Sequence, residues 1–302
     1  MRSIEKIIKI FLVIAALNVT SCRLDDNLFN PNTNKISAYN FDNYTGKVDF
    51  KLDASYQIPA NMITQFTLQS KAPYENQATK IYAVYIGNMQ RITTDTVILY
   101  CHGNKDHMDF YWPRAQLLAN TRGKNHYGVM MIDYRGYGLS EGKPTENGLY
   151  TDVDAALQWL KSNGLTNNRL IMYGFSMGTA PAVKLTAQPQ SMTPSKLMLE
   201  APMASAYVMV QDATGLALPP SFVTSLQINN AELIKIVQQP LFWIHGIDDD
   251  FLSIETQGGL VYKNYQGTYK EAHRIPGAGH SNVPLVFGFQ NYLKAVGDFI
   301  AR

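Results

Sequence analysis

The chain has 302 residues, 46% of them hydrophobic and 17% charged, a balance that suits one packed domain and excludes a disordered segment. Its formal net charge is +2 and no run of lysine or arginine stands out, so nucleic acid is excluded as a partner on electrostatic grounds. Neither an internal repeat nor a low-complexity tract is present.

The first segment reads as an export signal. Arg2, Lys6 and Lys9 precede a nearly uniform apolar run over residues 10–17, which is too short to span a bilayer as a permanent helix. It ends in Val19-Thr20-Ser21-Cys22, which resembles a bacterial lipobox, where the cysteine becomes the lipidated first residue of the mature protein. The alternative is an ordinary secretory signal in which Cys22 is incidental. The lipobox resemblance implies a signal peptide over residues 1–21, a polar tether over 22–40 and a domain over 41–302. It also implies a lipid anchor in the bacterial cell envelope, most simply the outer membrane, facing the periplasm or the surface. Asp25 and Asp26 are similar to the export signals of some surface lipoproteins. The other cysteine, Cys101, is expected to be a small buried hydrophobe at a strand end.

Beyond the tether, strands are predicted over residues 64–68 (TQFTL), 80–86 (KIYAVYI) and 96–100 (TVILY), the last running into His102-Gly103-Asn104. A helix is predicted over 112–120 and a strand over 128–134 (GVMMIDY). A second helix follows over 147–161, with Leu149, Val153, Ala156, Leu157 and Leu160 on one face. Further strands fall at 170–173, 196–199, 241–244 and 272–275, and a helix over 287–300 closes the chain. Residues 206–239 break the alternation, with Pro219-Pro220 in the middle, and read as a lid. Short apolar strands alternating with helices predict a largely parallel sheet covered on both faces, with an antiparallel edge from the first two strands. A lid over the carboxyl ends of the strands then lies where such sheets bind ligands.

Gly174, Ser176 and Gly178 form G-x-S-x-G between a buried strand and a helix that carries Pro181 near its start. This is the context of a nucleophile elbow, where a strained turn exposes a serine and the following helix points N–H groups at the reacting centre. A serine nucleophile needs a base and an acid that orients the base. Of His102, His107, His126, His245, His273 and His280, the last lies in a glycine-rich loop between the last strand and the last helix, and is the candidate base. His273 reads as structural, and His102 and His245 as residues that organise turns. Asp248, Asp249 and Asp250 all follow an apolar strand directly, and position alone does not choose among them.

With His102-Gly103-Asn104, the turn from Asp133 through Arg135, Gly138 and Ser140 to Gly142, the elbow, His245-Gly246-Ile247-Asp248-Asp249 and His280 in this order, the sequence resembles an alpha/beta-hydrolase. It is closest to the lysophospholipase and serine-aminopeptidase-like branch. The resemblance runs from about Phe66 to the C-terminus and implies a mostly parallel, eight-stranded α/β sheet with helices on both faces and a small lid.

The resemblance places the acid at Asp249 and the oxyanion hole at the backbone N–H groups of Met177 and Asn104, with Ser176 as nucleophile and His280 as base. It departs at Ser253, where relatives usually carry proline. Asp133, Arg135 and Ser140 read as turn-builders. The implied reaction is acyl transfer from a small-molecule ester, thioester or lysolipid through an acyl-enzyme, with no metal or organic cofactor. Tyr207, Met209 and Phe222 in the lid suggest an apolar acyl pocket. Two alternatives stand beside it: a serine peptidase of the aminopeptidase type, and a surface-binding lipoprotein on a catalytically silent hydrolase fold. The lid offers only Asp212 and Glu232 to grip a substrate amine, which favours ester chemistry.

Overall fold

The computed structural model describes residue 29 and residues 35–124, 126–214 and 224–302. Cys22, Phe222 and Pro219-Pro220 lie outside the described residues, as do residues 1–21, read above as a signal peptide, and most of the segment read as a tether.

Eight strands form one sheet: β1 (Ile63–Ser70), β2 (Thr79–Ile86), β3 (Val97–Cys101), β4 (Gly128–Ile132), β5 (Leu170–Phe175), β6 (Lys196–Glu200), β7 (Leu241–Gly246) and β8 (Lys270–Ile275). Their order is β1-β2-β4-β3-β5-β6-β7-β8. β1 and β2 pair antiparallel, as do β2 and β4, and every later pair is parallel. The mostly parallel eight-stranded sheet and its antiparallel edge are therefore present as expected. Every residue of β3, β4, β5 and β7 is buried, which is why these strands read as unbroken apolar runs rather than alternating ones.

Alternation persists within them as a choice between two cores. Val97, Leu99 and Cys101 of β3 join Leu170 and Met172 of β5 on one face, whereas Ile98, Tyr100, Ile171 and Tyr173 join the other. Helices α2 (Glu146–Ser162) and α3 (Thr179–Ala187) cover the first face, and α1 (Met108–Asn120) and α8 (Phe289–Ala301) the second. The smaller helices are α4 (Ala206–Thr214), α5 (Asn230–Leu233), α6 (Gly259–Asn264) and α7 (Val283–Phe287). Helix α1 begins four residues before the expected Trp112, taking in Met108 to Tyr111 as a buried first turn ahead of Pro113.

The end of the segment expected to be a tether is folded onto the domain. Tyr39 is buried, and its hydroxyl donates to Asp133 Oδ2 at 2.6 Å. Asp109 Oδ1 accepts the backbone N–H groups of Asn40 and Phe41 at 2.9 and 2.6 Å. Asp42 takes the Trp112 indole N–H at 2.5 Å and the Gln116 amide at 2.6 Å. Helix α1 thus offers these polar groups to the N-terminal segment instead of to solvent.

Candidate active site

Parallel α/β sheets expose ligand sites at the carboxyl ends of their strands, and four sequence-selected segments meet there. Asn104 follows β3, Ser176 follows β5, Asp249 follows β7 and His280 follows β8. Ser176 has φ +54°, a left-handed conformation that a non-glycine residue holds only when its surroundings enforce it. They do so through close approach. A Cβ at Gly174 would sit 2.6 Å from the Gly178 carbonyl oxygen, and one at Gly178 would sit 2.0 Å from that of Cys101. Only glycine lets the turn pack so tightly against β3.

The Ser176 hydroxyl lies 2.9 Å from His280 Nε2, and His280 Nδ1 lies 2.8 Å from Asp249 Oδ2. A carboxylate can only accept, so Nδ1 carries the proton and donates, leaving Nε2 free to accept the serine O–H. Burial opposes a charged Asp249, yet hydrogen bonds from His245 and His280, together with the Leu252 backbone N–H, hold its carboxyl well below the usual carboxylate range. Asp249 Oδ1 accepts the N–H groups of Phe251 and Leu252 at 3.0 and 2.8 Å. Asp248 and Asp250 take no part in this arrangement: of the three consecutive aspartates, Asp249 alone is buried.

His245 does more than organise its turn. Its Nε2 lies 2.9 Å from the Leu252 carbonyl and 3.2 Å from Asp249 Oδ2. Both partners are acceptors, so Nε2 is protonated and supports the carboxylate from beneath. The adjoining π-helical turn Ile254–Gly258 closes over His245, and a Cβ at Gly258 would lie 2.0 Å from its Nδ1. Ser253 caps that turn by accepting the Glu255 N–H. Its φ of −49° is open to the proline usual in relatives.

A second buried assembly braces the site. Arg114 donates to Glu200 at 2.8–3.2 Å, to Asp49 at 3.0 Å and to the Ser281 carbonyl at 3.0 Å. Its guanidinium lies 3.9 Å from the centre of the Phe175 ring, which in turn faces His280. Glu200 also accepts from Tyr173 and Tyr292 at 2.5 and 3.2 Å. One side chain therefore touches the residue after the base and the residue before the nucleophile. Its partners are 65, 86 and 167 positions away, and no local motif announced it.

The two residues named above as oxyanion-hole candidates border the serine. Met177 stands at the first turn after Ser176, and Asn104 lines the cleft beside it. Tyr137 fixes their loops, its hydroxyl 2.8 Å from Asn104 Oδ1 and 3.8 Å from Met177 Sδ. The residues read as turn-builders build a turn. Asp133 O accepts the Ser140 hydroxyl at 2.6 Å, and Arg135 is bound to Asp152 through its backbone N–H and its side chain. His273 pairs with Glu271 at 2.7 Å on β8, and His102 donates from Nδ1 to the Gly103 carbonyl at 2.8 Å. Cys101 is a buried free thiol at the end of β3.

Two cavities flank Ser176. One, of about 350 Å³, is lined by Gly103, Lys105, Tyr111, Phe175, His280 and Ser281, with Asp49 at its edge. The other, of about 30 Å³, is apolar and walled by Phe29, Met177, Met203, Met209, Ile228 and Leu252. Asn104, Ser176 and Phe251 border both. Met209 of α4, in the segment read as a lid, lines the apolar cavity, while the two carboxylates of that segment are engaged elsewhere. Asp212 accepts from Thr256 and Gln257 at 2.7 Å, and Glu232 pairs with Lys235.

A family model described as serine aminopeptidase matches residues 93–239, a span that holds Asn104, Ser176 and Met177 and stops short of Asp249 and His280. The protein bem46 of Schizosaccharomyces pombe is 30% identical over 208 residues, which make up 68% of this chain and 67% of that protein. The alpha/beta hydrolase domain-containing protein aho-3 of Caenorhabditis elegans is 33% identical over 210 residues, 68% of this chain and 58% of its own. The match thus spans between 58% and 67% of these two relatives' length. Among solved structures, an esterase of Pyrococcus furiosus superposes with a TM-score of 0.66 at 19% identity, covering 91% of this chain and 98% of that one. Est1E of Butyrivibrio proteoclasticus, solved with ferulic acid bound, gives 0.60 at 18% identity over 74% and 95%.

Proposed function

The chain belongs to the alpha/beta-hydrolase superfamily, and we propose that it is a serine hydrolase that cleaves carboxylic esters, thioesters or lysolipids through an acyl-enzyme. The observation that carries this reading is the Ser176–His280–Asp249 relay, whose distances of 2.9 and 2.8 Å suit the tautomer that nucleophilic attack requires. Ser176 Oγ attacks the acyl carbonyl while His280 Nε2 takes its proton. Asp249 stabilises the imidazolium that forms, and does so as a carboxylate because His245 and two backbone N–H groups hold it charged. The N–H groups of Met177 and Asn104 receive the oxyanion, each worth about 3 kcal/mol of barrier lowering. His280 then protonates the leaving group, and water, activated by the same imidazole, releases the acid.

Esters are favoured over aminoacyl amides because the carboxylates near the site are engaged. Asp212 and Glu232 line neither cavity, and Asp49 is ion-paired to Arg114. Initial rates on p-nitrophenyl esters and on aminoacyl p-nitroanilides test this directly. Turnover of esters with a pre-steady-state burst is expected, and faster cleavage of the anilides would install the peptidase reading instead.

The envelope location belongs to the same proposal. A lipid on Cys22 stands seven residues before Phe29, so a fully extended chain holds the apolar cavity's edge within ~25 Å of the anchor. Mass spectrometry of the mature N-terminal peptide from detergent-extracted protein tests it. A diacylated Cys22 is expected, and an unmodified cysteine would refute the anchor.

A further inference from the structure

The two cavities beside Ser176 differ in chemistry, and the position of the base tells them apart. His280 must hand its proton to the leaving group, so the leaving group occupies the side that His280 borders. That side is the larger, mixed cavity, where Lys105 and Ser281 also lie. The acyl chain is left with the other side, the apolar cavity against Met177, which His280 does not line.

That acyl cavity is small. It has about 30 Å³ against about 350 Å³ for its neighbour, and a single methylene in such a pocket is worth tenfold or more in discrimination. Its walls are of several kinds, with Met209 and Leu226 half-buried against the core and Phe251 exposed. Met177, Met203, Ile228 and Leu252 are buried members of the domain core. Phe29 alone among the lining residues comes from the segment that precedes the domain, and it packs half-buried against that core from outside. The methionines can repack around a longer chain through their flexible thioethers, whereas an aromatic ring in the cavity wall is stiffer and stops it.

We propose that Phe29 closes the acyl pocket and sets the length of acyl chain that the enzyme accepts. The inference rests on the serine-hydrolase reading above. It makes the substrate an ester of a short acyl chain with a larger, polar leaving group, and makes the N-terminal segment a determinant of specificity rather than a spacer.

The test uses the full-length protein and its F29W, F29L and F29A variants, comparing kcat/KM on p-nitrophenyl octanoate with that on p-nitrophenyl acetate. Because both substrates report the same active fraction, their ratio is independent of how much of each variant folds. The ratio is expected to rise in the order Trp, Phe, Leu, Ala at position 29, by at least about tenfold from wild type to F29A. If F29A does not fold, the order of the other three decides. Ratios equal across the series would overturn the proposal. A wild-type protein that hydrolyses neither ester and takes up no fluorophosphonate would remove the hydrolase reading beneath it, and the proposal would fall with that reading.

Discussion

Replacing Arg114 by glutamine removes the one group that binds Glu200, Asp49 and the Ser281 carbonyl together. Glu200 is fully buried, and breaking a buried ion pair from one side costs about 3–5 kcal/mol because the surviving charge is left uncompensated. The hydroxyls of Tyr173 and Tyr292 still donate to Glu200, which places the cost nearer the lower figure. For a domain of this size each kcal/mol lowers the melting temperature by about 2–4 °C, so R114Q is expected to melt about 6–12 °C below wild type. The same change frees the Ser281 carbonyl and the face of Phe175, both of which locate His280. Misplacement of a catalytic group by about 1 Å costs up to about 100-fold in rate. The kcat measured per titrated serine should therefore fall between about 10- and 100-fold while KM changes little. Circular dichroism melts and active-site-titrated ester kinetics read the two effects separately. A melting temperature within about 2 °C of wild type, or an unchanged kcat, would refute the coupling of this ion pair to the site.

Other outcomes follow from the same geometry. Asp249→Asn should lower kcat by about 10⁴-fold, because an amide no longer fixes the protonated Nδ1 of His280. The pH dependence of stability has a definite sign. A carboxyl whose folded pKa is depressed stabilises the fold above its unfolded pKa of about 3.9 and loses that contribution as pH falls toward the folded value. The gap in melting temperature between wild type and D249N should thus shrink as pH drops from 5 toward 2, and a constant gap would count against it. Gly178→Ala drives a Cβ into the carbonyls of Cys101 and His102, at 2.0 and 2.5 Å. It should abolish fluorophosphonate uptake, and a fully active variant would contradict the packing. Burial pushes the Cys101 thiol up, so peptide mapping after iodoacetamide should find it unmodified in native protein and alkylated in urea.

Features set by neighbours in the sequence were readable from it. Gly174, Ser176 and Gly178 report a turn through a pattern confined to five residues, and the apolar runs of β3, β5 and β7 report strands buried on both faces. Asp249 was a harder case. Three consecutive aspartates differ only in which one the turn after β7 rotates inward, so resemblance chose where the residues alone could not. The second donor to Asp249 was out of reach for a related reason. His245 was recognised as a turn residue, but nothing local showed that its Nε2 reaches both the Leu252 carbonyl and the Asp249 carboxylate. Least legible were groups paired over long separations, such as Arg114 with Glu200, Asp109 with the Phe41 backbone and Asp42 with Trp112. Neither partner carries a local pattern, and each looks alone like an ordinary charge on a helix or loop. The same blindness made residues near Tyr39 read as tether when their backbone N–H groups find acceptors on α1.

The central claim is that Ser176 is an activated nucleophile, and it is tested most directly by treating the folded protein with a fluorophosphonate and mapping the adduct by tandem mass spectrometry. A single phosphonylated residue at Ser176 is expected, with the adduct absent from S176A and slowed severely in a variant lacking the His280 imidazole. Well-folded wild-type protein that takes up no probe, or takes it up elsewhere, would contradict the account and leave a hydrolase fold serving some purpose other than acyl transfer.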